Sequence, residues 1–145
     1  MKKIIPNFLN FSICLVVLIL VGAACSTFTK GKAAGEKAVE NFHAQLNAEK
    51  YDEIYDQSTK EFKDSGSKEE ITKFLQAVHR KLGTVNQATQ QGWHVNATPT
   101  GGVITMSYET EFTNDKAVES FTFFMNGDDA QIAGYNINSK KLVTE

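Results

Sequence analysis

Two carboxylates with the spacing of an acid and base pair lie in the second half of the chain. Glu109 and Glu111 belong to a segment in which apolar and polar residues alternate. A strand there puts both on one face, about 7 Å apart. Such a pair could act as general acid and general base beside a pocket. Acids that alternate along the open face of a strand more often keep a sheet soluble, so we assign the pair no catalytic role.

The histidines do not form a metal site in the sequence. His43 and His79 each lie one position from an apolar helical stripe, so we expect them to border the core or face water. His94 follows Trp93 in a strand and should point to the opposite face. Three histidines on separate elements, without carboxylates at ligand spacing, predict no metal centre. The sequence also has no phosphate loop or nucleophile motif, and we expect no cofactor.

Cys25 ends a segment with the properties of an export signal. Lys2 and Lys3 are followed by a largely apolar run from Phe11 to Ala24, and residues 22–24 are small. About 14 residues of helix span roughly 21 Å, which is short of a hydrocarbon core about 30 Å thick. The segment resembles the signal peptide and lipobox of bacterial lipoproteins. The resemblance implies that the thiol of Cys25 is acylated and that the peptide bond before it is cut.

This resemblance divides the chain into three parts. Residues 1–24 are the expected signal peptide, residues 25–32 the lipidated cysteine with a short tether, and residues 33–145 a single domain. The partner it implies is membrane lipid, bound through Cys25. In Gram-negative bacteria, Ser26 after the cysteine resembles the sorting rule for the outer membrane, facing the periplasm. The alternatives are an ordinary cleaved signal and an uncleaved anchor.

The composition of the remaining chain excludes some partners. Removing residues 1–24 leaves 121 of the 145 residues, enough for one domain with its own core. Two of the 15 basic residues leave with the leader, whereas all 17 acidic residues stay. The domain is therefore slightly acidic and has no basic patch, which argues against nucleic-acid binding. Cys14 also leaves with the leader, so no disulfide is expected.

Residues 33–82 have the apolar spacing of helices. A stripe of residues three and four apart predicts a helix from about Ala33 to Asn47. A second, shorter helix is expected near Tyr51 to Gln57, with a further turn at residues 58–62. The third helix begins at an S-x-x-E capping box and ends before Gly83. Its box is Ser67 with Glu70, and its stripe is Ile71, Phe74, Leu75, Val78 and Leu82.

From Thr84 onward the apolar period changes to two, which indicates strands. We expect a long first strand from Val85 to Ala97, bent at Gly92, and a second from Val103 to Phe112. A third contains Phe121, Phe123 and Met125, and the last runs from Ala130 to Ser139. The pattern predicts an α+β fold in which the N-terminal helices pack on one face of a curved antiparallel sheet of about four strands.

Helices followed by a four-stranded meander resemble the cystatin-like and nuclear-transport-factor-two-like group of folds. More narrowly, residues 38–83 resemble small exported bacterial domains of unknown function. The residues that carry this likeness are the segment Lys50-Tyr51-Asp52-Glu53-Ile54-Tyr55 and then Phe62, Ser67, Phe74, Arg80 and Leu82-Gly83. These motifs are structural. They imply a fold that hosts enzymes, binding modules and assembly accessories, and so they do not select a function.

The sheet region has more aromatic residues than one small face requires. We expect Trp93, Tyr108, Phe124 and Tyr135 to form a partner or ligand surface, with Trp93 and Phe124 on the face away from the helices. The function we expect is a non-enzymatic binding or accessory module with an envelope protein as partner. The alternative is a small-ligand or enzymatic pocket lined by Tyr108, Tyr135 and the strand carboxylates.

Overall fold

The computed structural model describes residues 30–98 and 101–144, which form helices packed on one face of an antiparallel sheet. Cys25 and the predicted leader lie outside these residues. The elements are α1 (30–47), α2 (Tyr51–Asp56), α3 (Lys60–Asp64), α4 (Lys68–Leu82), β1 (Val85–Thr98), β2 (Gly101–Phe112), β3 (Lys116–Asn126), β4 (Asp129–Asn138) and α5 (Lys140–Thr144). The four strands follow one another in the order β1-β2-β3-β4. The predicted α+β fold is confirmed.

The first helix packs on the sheet through the predicted stripe. Val39, Phe42 and Leu46 of α1 are buried. Gly35 lets the helix approach β2 closely, because a methyl group added there would lie 2.6 Å from Met106 Sδ. The helix includes residues 30–32, which the sequence assigns to the tether. Among the described residues, none of the helices has the length and apolar composition needed to cross a membrane.

The capping box of α4 forms as the sequence predicts. The Glu70 backbone N–H donates to Ser67 Oγ at 3.3 Å, and the Ser67 backbone N–H donates to Glu70 Oε2 at 2.8 Å. Gly83 ends the helix with φ of 83°, a conformation that favours glycine. Ile71, Leu75, Val78 and Leu82 are buried. Phe74 differs from the prediction, since 45% of it is exposed.

The two short helices close one end of the core. Tyr51 and Ile54 of α2 are buried, as is Phe62 of α3. The side chain of Thr59 caps α3 by accepting from the Phe62 backbone N–H at 3.4 Å. Thr59 also ties this region to the last strand, because its backbone N–H donates to Ile132 O at 2.9 Å. Both helices therefore contribute apolar side chains to the same core as α1.

The sheet has one apolar face and one polar face. Met106, Phe121 and Tyr135 are neighbours across β2, β3 and β4 on the face that the helices cover. The open face carries hydroxyl side chains instead, with Thr105 opposite Thr122 and Ser107 opposite Ser120. The register of β1 against β2 shifts between Gln90 and Gly92, where the sequence predicts a bend. This alternation gives a core on one side of the sheet only.

Candidate functional site

A carboxylate lies at the centre of the apolar core. Glu119 is on the core face of β3, between Ala117 and Phe121, and its exposure is 0%. A buried charge is costly unless hydrogen bonds compensate for the lost water. Its partners therefore decide what this residue can do.

Three elements bring hydrogen-bonding side chains to Glu119. Tyr135 of β4 donates its hydroxyl to Oε1 at 2.7 Å. His43 of α1 places Nε2 2.8 Å from Oε2, and Thr110 of β2 donates its hydroxyl to the same oxygen. Both carboxylate oxygens are thus engaged by side chains of this chain. We call Glu119, His43, Thr110 and Tyr135 the core polar network.

Aromatic rings surround the core polar network. The ring of Phe42 lies 4.7 Å from that of Tyr135 and 5.2 Å from that of Phe121, centroid to centroid. The ring of Phe121 is also 5.7 Å from that of His43. Burial among these rings, together with the negative charge of Glu119 and its hydrogen bond, raises the pKa of Tyr135 well above its ordinary value. The phenol therefore keeps its proton and remains a donor to the carboxylate.

This arrangement suits a structural role. A general acid or base must come within hydrogen-bond reach of a substrate proton. The oxygens of Glu119 are instead surrounded by donors from α1, β2 and β4. The network therefore ties the first helix to three strands, and its chemistry is that of a satisfied buried polar cluster.

An open cleft lies beside this network, between α1 and the β3–β4 hairpin. Its volume is about 360 Å³, within the range of small-molecule and peptide-anchoring pockets. The floor is apolar and consists of Phe42, Ile54, Phe123 and Ile132. Ala34 and Ala38 of α1 line the wall, and their small side chains leave the space open.

The rim of the cleft is polar. Charged groups line the end near the start of α1, where Lys37, Asp128 and Asp129 belong to the cleft. Carboxamides follow at the other end, where Gln45 Nε2 donates to Gln57 Oε1 at 3.0 Å. An apolar floor with hydrogen-bonding groups around it can bind an apolar anchor and orient it. Phe42 belongs to both features, since it lines the cleft and packs on Tyr135.

The carboxylate pair predicted from the sequence lies elsewhere. Glu109 is exposed on the open face of the sheet, paired across the strands with Thr89 and Val118. Glu111 forms an ion pair with Lys116. Neither residue lines the cleft. The pocket that would combine these carboxylates with Tyr108 and Tyr135 is therefore not assembled.

The four aromatic residues of the predicted surface lie on two faces. Tyr108 is buried in the core, where burial raises its pKa to about 12. Tyr135 belongs to the core polar network. Trp93 pairs with Met106 and so lies on the helix-covered side, whereas Phe124 pairs with Val103 on the open side. The structure does not bring the four together, and their role in partner binding stays a prediction.

The histidines also differ from one another. His94 is exposed on the open face, opposite Thr105, as expected. His79 borders the core, with Nδ1 3.1 Å from the hydroxyl of Tyr51. His43 is instead buried, at 7% exposure, because Glu119 supplies the partner that an imidazole in the core requires. Across the described residues, no group of three or more His, Cys, Asp or Glu side chains could hold a metal ion.

Sequence reasoning missed Glu119, although a signal was present. The alternation that places Phe121 and Phe123 on the core face also places Glu119 there, two residues earlier. An acid in an apolar row of a strand predicts a buried partner. The cleft left no such signal, because its walls come from segments far apart in the chain.

Comparison with known proteins gives a family and no activity. A family model described as "Protein of unknown function (DUF4019)" matches residues 38–135. This is more than half of the chain, so the chain belongs to this family. The match includes every residue of the core polar network. No curated protein is found to be similar to the chain.

Proposed function

We propose that this DUF4019 protein is a lipid-anchored protein of the bacterial cell envelope, and that its α+β domain is a non-enzymatic binding module. The anchor rests on the sequence, in which small residues precede Cys25 at the end of a charged and then apolar leader. Two or three acyl chains hold a protein far better than one, because each buried CH₂ contributes about 0.8 kcal/mol. Kinship with the cystatin-like group is part of the same proposal.

The cleft carries the binding half of the proposal. It combines about 360 Å³ of open space, an apolar floor and a polar rim in one place. Ala34 and Ala38 keep it open, although larger apolar side chains there would bury more surface. A partner that inserts an apolar side chain between α1 and the β3–β4 hairpin could bond to the carboxamides and charges around it. An envelope protein that presents such an anchor is the partner we favour.

The position of the carboxylates supports binding over catalysis. Glu119 has both oxygens occupied within the core, and Glu111 is paired with Lys116. The cleft rim contributes Asp128 and Asp129, of which Asp128 lies 3.9 Å from Lys30 in an exposed ion pair. Charges in such positions orient and select a partner more than they strengthen its binding.

The anchor is tested by labelling growing cells with a fatty-acid analogue. We expect the label on the wild-type protein and its loss in Cys25→Ala, because the thiol is the proposed attachment point. Cys14→Ala is the matched control and should keep the label, since Cys14 leaves with the leader. The intact mass of the purified protein should equal that of a chain starting at Cys25 with acyl groups added. An unlabelled wild type, or equal label in Cys25→Ala, would end this half of the proposal.

The cleft is tested by crosslinking in cells. A photoreactive residue at Asn41, on the cleft rim, should give an adduct of defined mass. The same residue at Glu40, exposed on α1 outside the cleft, should not. Ala38→Trp fills the cleft and should abolish the adduct, whereas Ala44→Trp, at an exposed position of the same helix, should leave it unchanged.

The outcomes of this experiment separate the candidate functions. A protein adduct specific to Asn41 and lost in Ala38→Trp supports the binding module. A small-molecule mass with the same dependence, retained in native mass spectrometry, supports the alternative of a ligand pocket, which the cleft volume also allows. Crosslinking that is equal at Asn41 and Glu40, or that survives Ala38→Trp, contradicts a role for the cleft.

A further inference from the structure

The first helix begins close to Cys25 in the chain. Lys30 is already helical, and five peptide units connect it to Cys25. A chain covers at most about 3.6 Å per residue, so Lys30 lies within about 18 Å of Cys25 in any conformation. If Cys25 carries lipid, the start of α1 is held near the bilayer surface.

Contacts at the start of α1 define one end of the domain. Lys30 Nζ lies 3.9 Å from Asp128 in the β3–β4 turn. A methyl group added at Gly31 would lie 3.5 Å from Ile104 Cδ1, near the beginning of β2. We call residues 30–34 together with the turn Asn126–Asp129 the anchor end. Because Ala34 and Asp128 also line the cleft, one end of the cleft lies at the anchor end.

The opposite end of the domain is equally well defined. Asn47, the last residue of α1, donates Nδ2 to Val85 O at 3.1 Å and accepts from the Val85 backbone N–H at 2.8 Å. The helix from 30 to 47 is about 26 Å long at 1.5 Å per residue. The start of β1 therefore lies about that much farther along the helix axis than the anchor end.

Charge at the anchor end is balanced. Its neighbourhood carries Lys30, Lys32 and Lys37 against Glu36, Asp128 and Asp129. Attraction to anionic lipid needs an excess of basic residues near the surface. The short connection to Cys25, and not attraction between charges and lipid, would therefore determine the orientation of the domain at the membrane.

From this geometry we propose that the anchor end is the surface of the domain that faces the bilayer, so that the end of the cleft lined by Ala34 and Asp128 lies nearest the membrane. The inference rests on the proposed lipid at Cys25. It predicts a fixed order of distances from the membrane, with the β3–β4 turn near and the start of β1 far. A partner in the cleft would then lie close to the membrane surface.

The test measures fluorescence quenching of the full-length, lipidated protein on vesicles. Asn126→Cys places a thiol in the anchor end and Asn86→Cys places one at the start of β1, and both asparagines are exposed. The processed chain has no other free thiol, because Cys14 is removed and Cys25 is acylated. Each variant is labelled with the same fluorophore. The vesicles contain phosphatidylethanolamine and phosphatidylglycerol, with a nitroxide on a fraction of the headgroups.

We expect a clear loss of fluorescence at position 126 and little loss at position 86. High salt should leave both values unchanged, because the anchor end has no net charge to attract lipid. Equal loss at both positions, or a larger loss at 86, would overturn the orientation. Asp128→Cys and Asn114→Cys form a second pair at the same two ends, for use if a first variant fails to fold. Intact mass separates the two proposals. A chain without added acyl mass would contradict the lipid anchor. An acylated chain that is quenched equally at positions 126 and 86 would contradict only the proposed orientation.

Discussion

Glu119 accepts hydrogen bonds from three elements of the fold while fully buried, so its replacement should change stability through those bonds. In Glu119→Gln one acceptor oxygen becomes an NH₂ donor, so either the pair His43 and Thr110 or the hydroxyl of Tyr135 loses its acceptor. Hydrogen bonds to a charged group contribute about 1.5–3 kcal/mol each, so we expect a loss of roughly that size in the free energy of unfolding. Urea unfolding of residues 26–145, followed by the fluorescence of the single tryptophan, measures it.

The matched control at this scale is Glu111→Gln, which removes an exposed ion pair with Lys116. Exposed pairs add little to stability, so the urea midpoint should barely move. Glu119→Ala should cost more than Glu119→Gln, because it also leaves a cavity and three buried groups without their partner. Similar losses in Glu119→Gln and Glu111→Gln would mean that the core polar network does not stabilise the fold.

At the scale of the element, the sequence predicts the features that depend on residues close together in the chain. The capping box and stop of α4 depend on residues three or four apart, and they form as expected. Phe74 departs from the stripe because it lies about 100° around the helix from Leu75, on the flank of the buried face. The strand period places Glu119 on the core face, but neither period identifies His43 as its partner, because the two residues are 76 positions apart in the chain. The cleft was unpredictable for the same reason, since α1 and the β3–β4 turn meet only in the folded chain.

At the scale of the whole molecule, the core begins before the family match does. The match starts at Ala38, yet Gly31 and Gly35 bring the first turns of α1 against Ile104 and Met106, both fully buried. A chain that starts at residue 30 should therefore fold in one cooperative transition, whereas a chain that starts at residue 38 exposes part of both side chains. Fully burying such a side chain contributes about 1.5–3 kcal/mol, so we expect a loss of roughly 3 kcal/mol.

A chain that starts at residue 34 supplies the control for this truncation, because it keeps Gly35 over Met106 and should lose much less. The urea unfolding midpoints of the chains that start at residues 30, 34 and 38, followed by circular dichroism, measure the stability lost with each truncation. A loss of about 3 kcal/mol is a large share of the stability of a small domain, so the shortest chain should be visibly destabilised. Equal midpoints for the chains that start at residues 30 and 38 would show that the first two turns of α1 lie on the sheet without stabilising it. The cleft wall at Ala34 would then be a mobile edge, and a partner there would bind by ordering the helix.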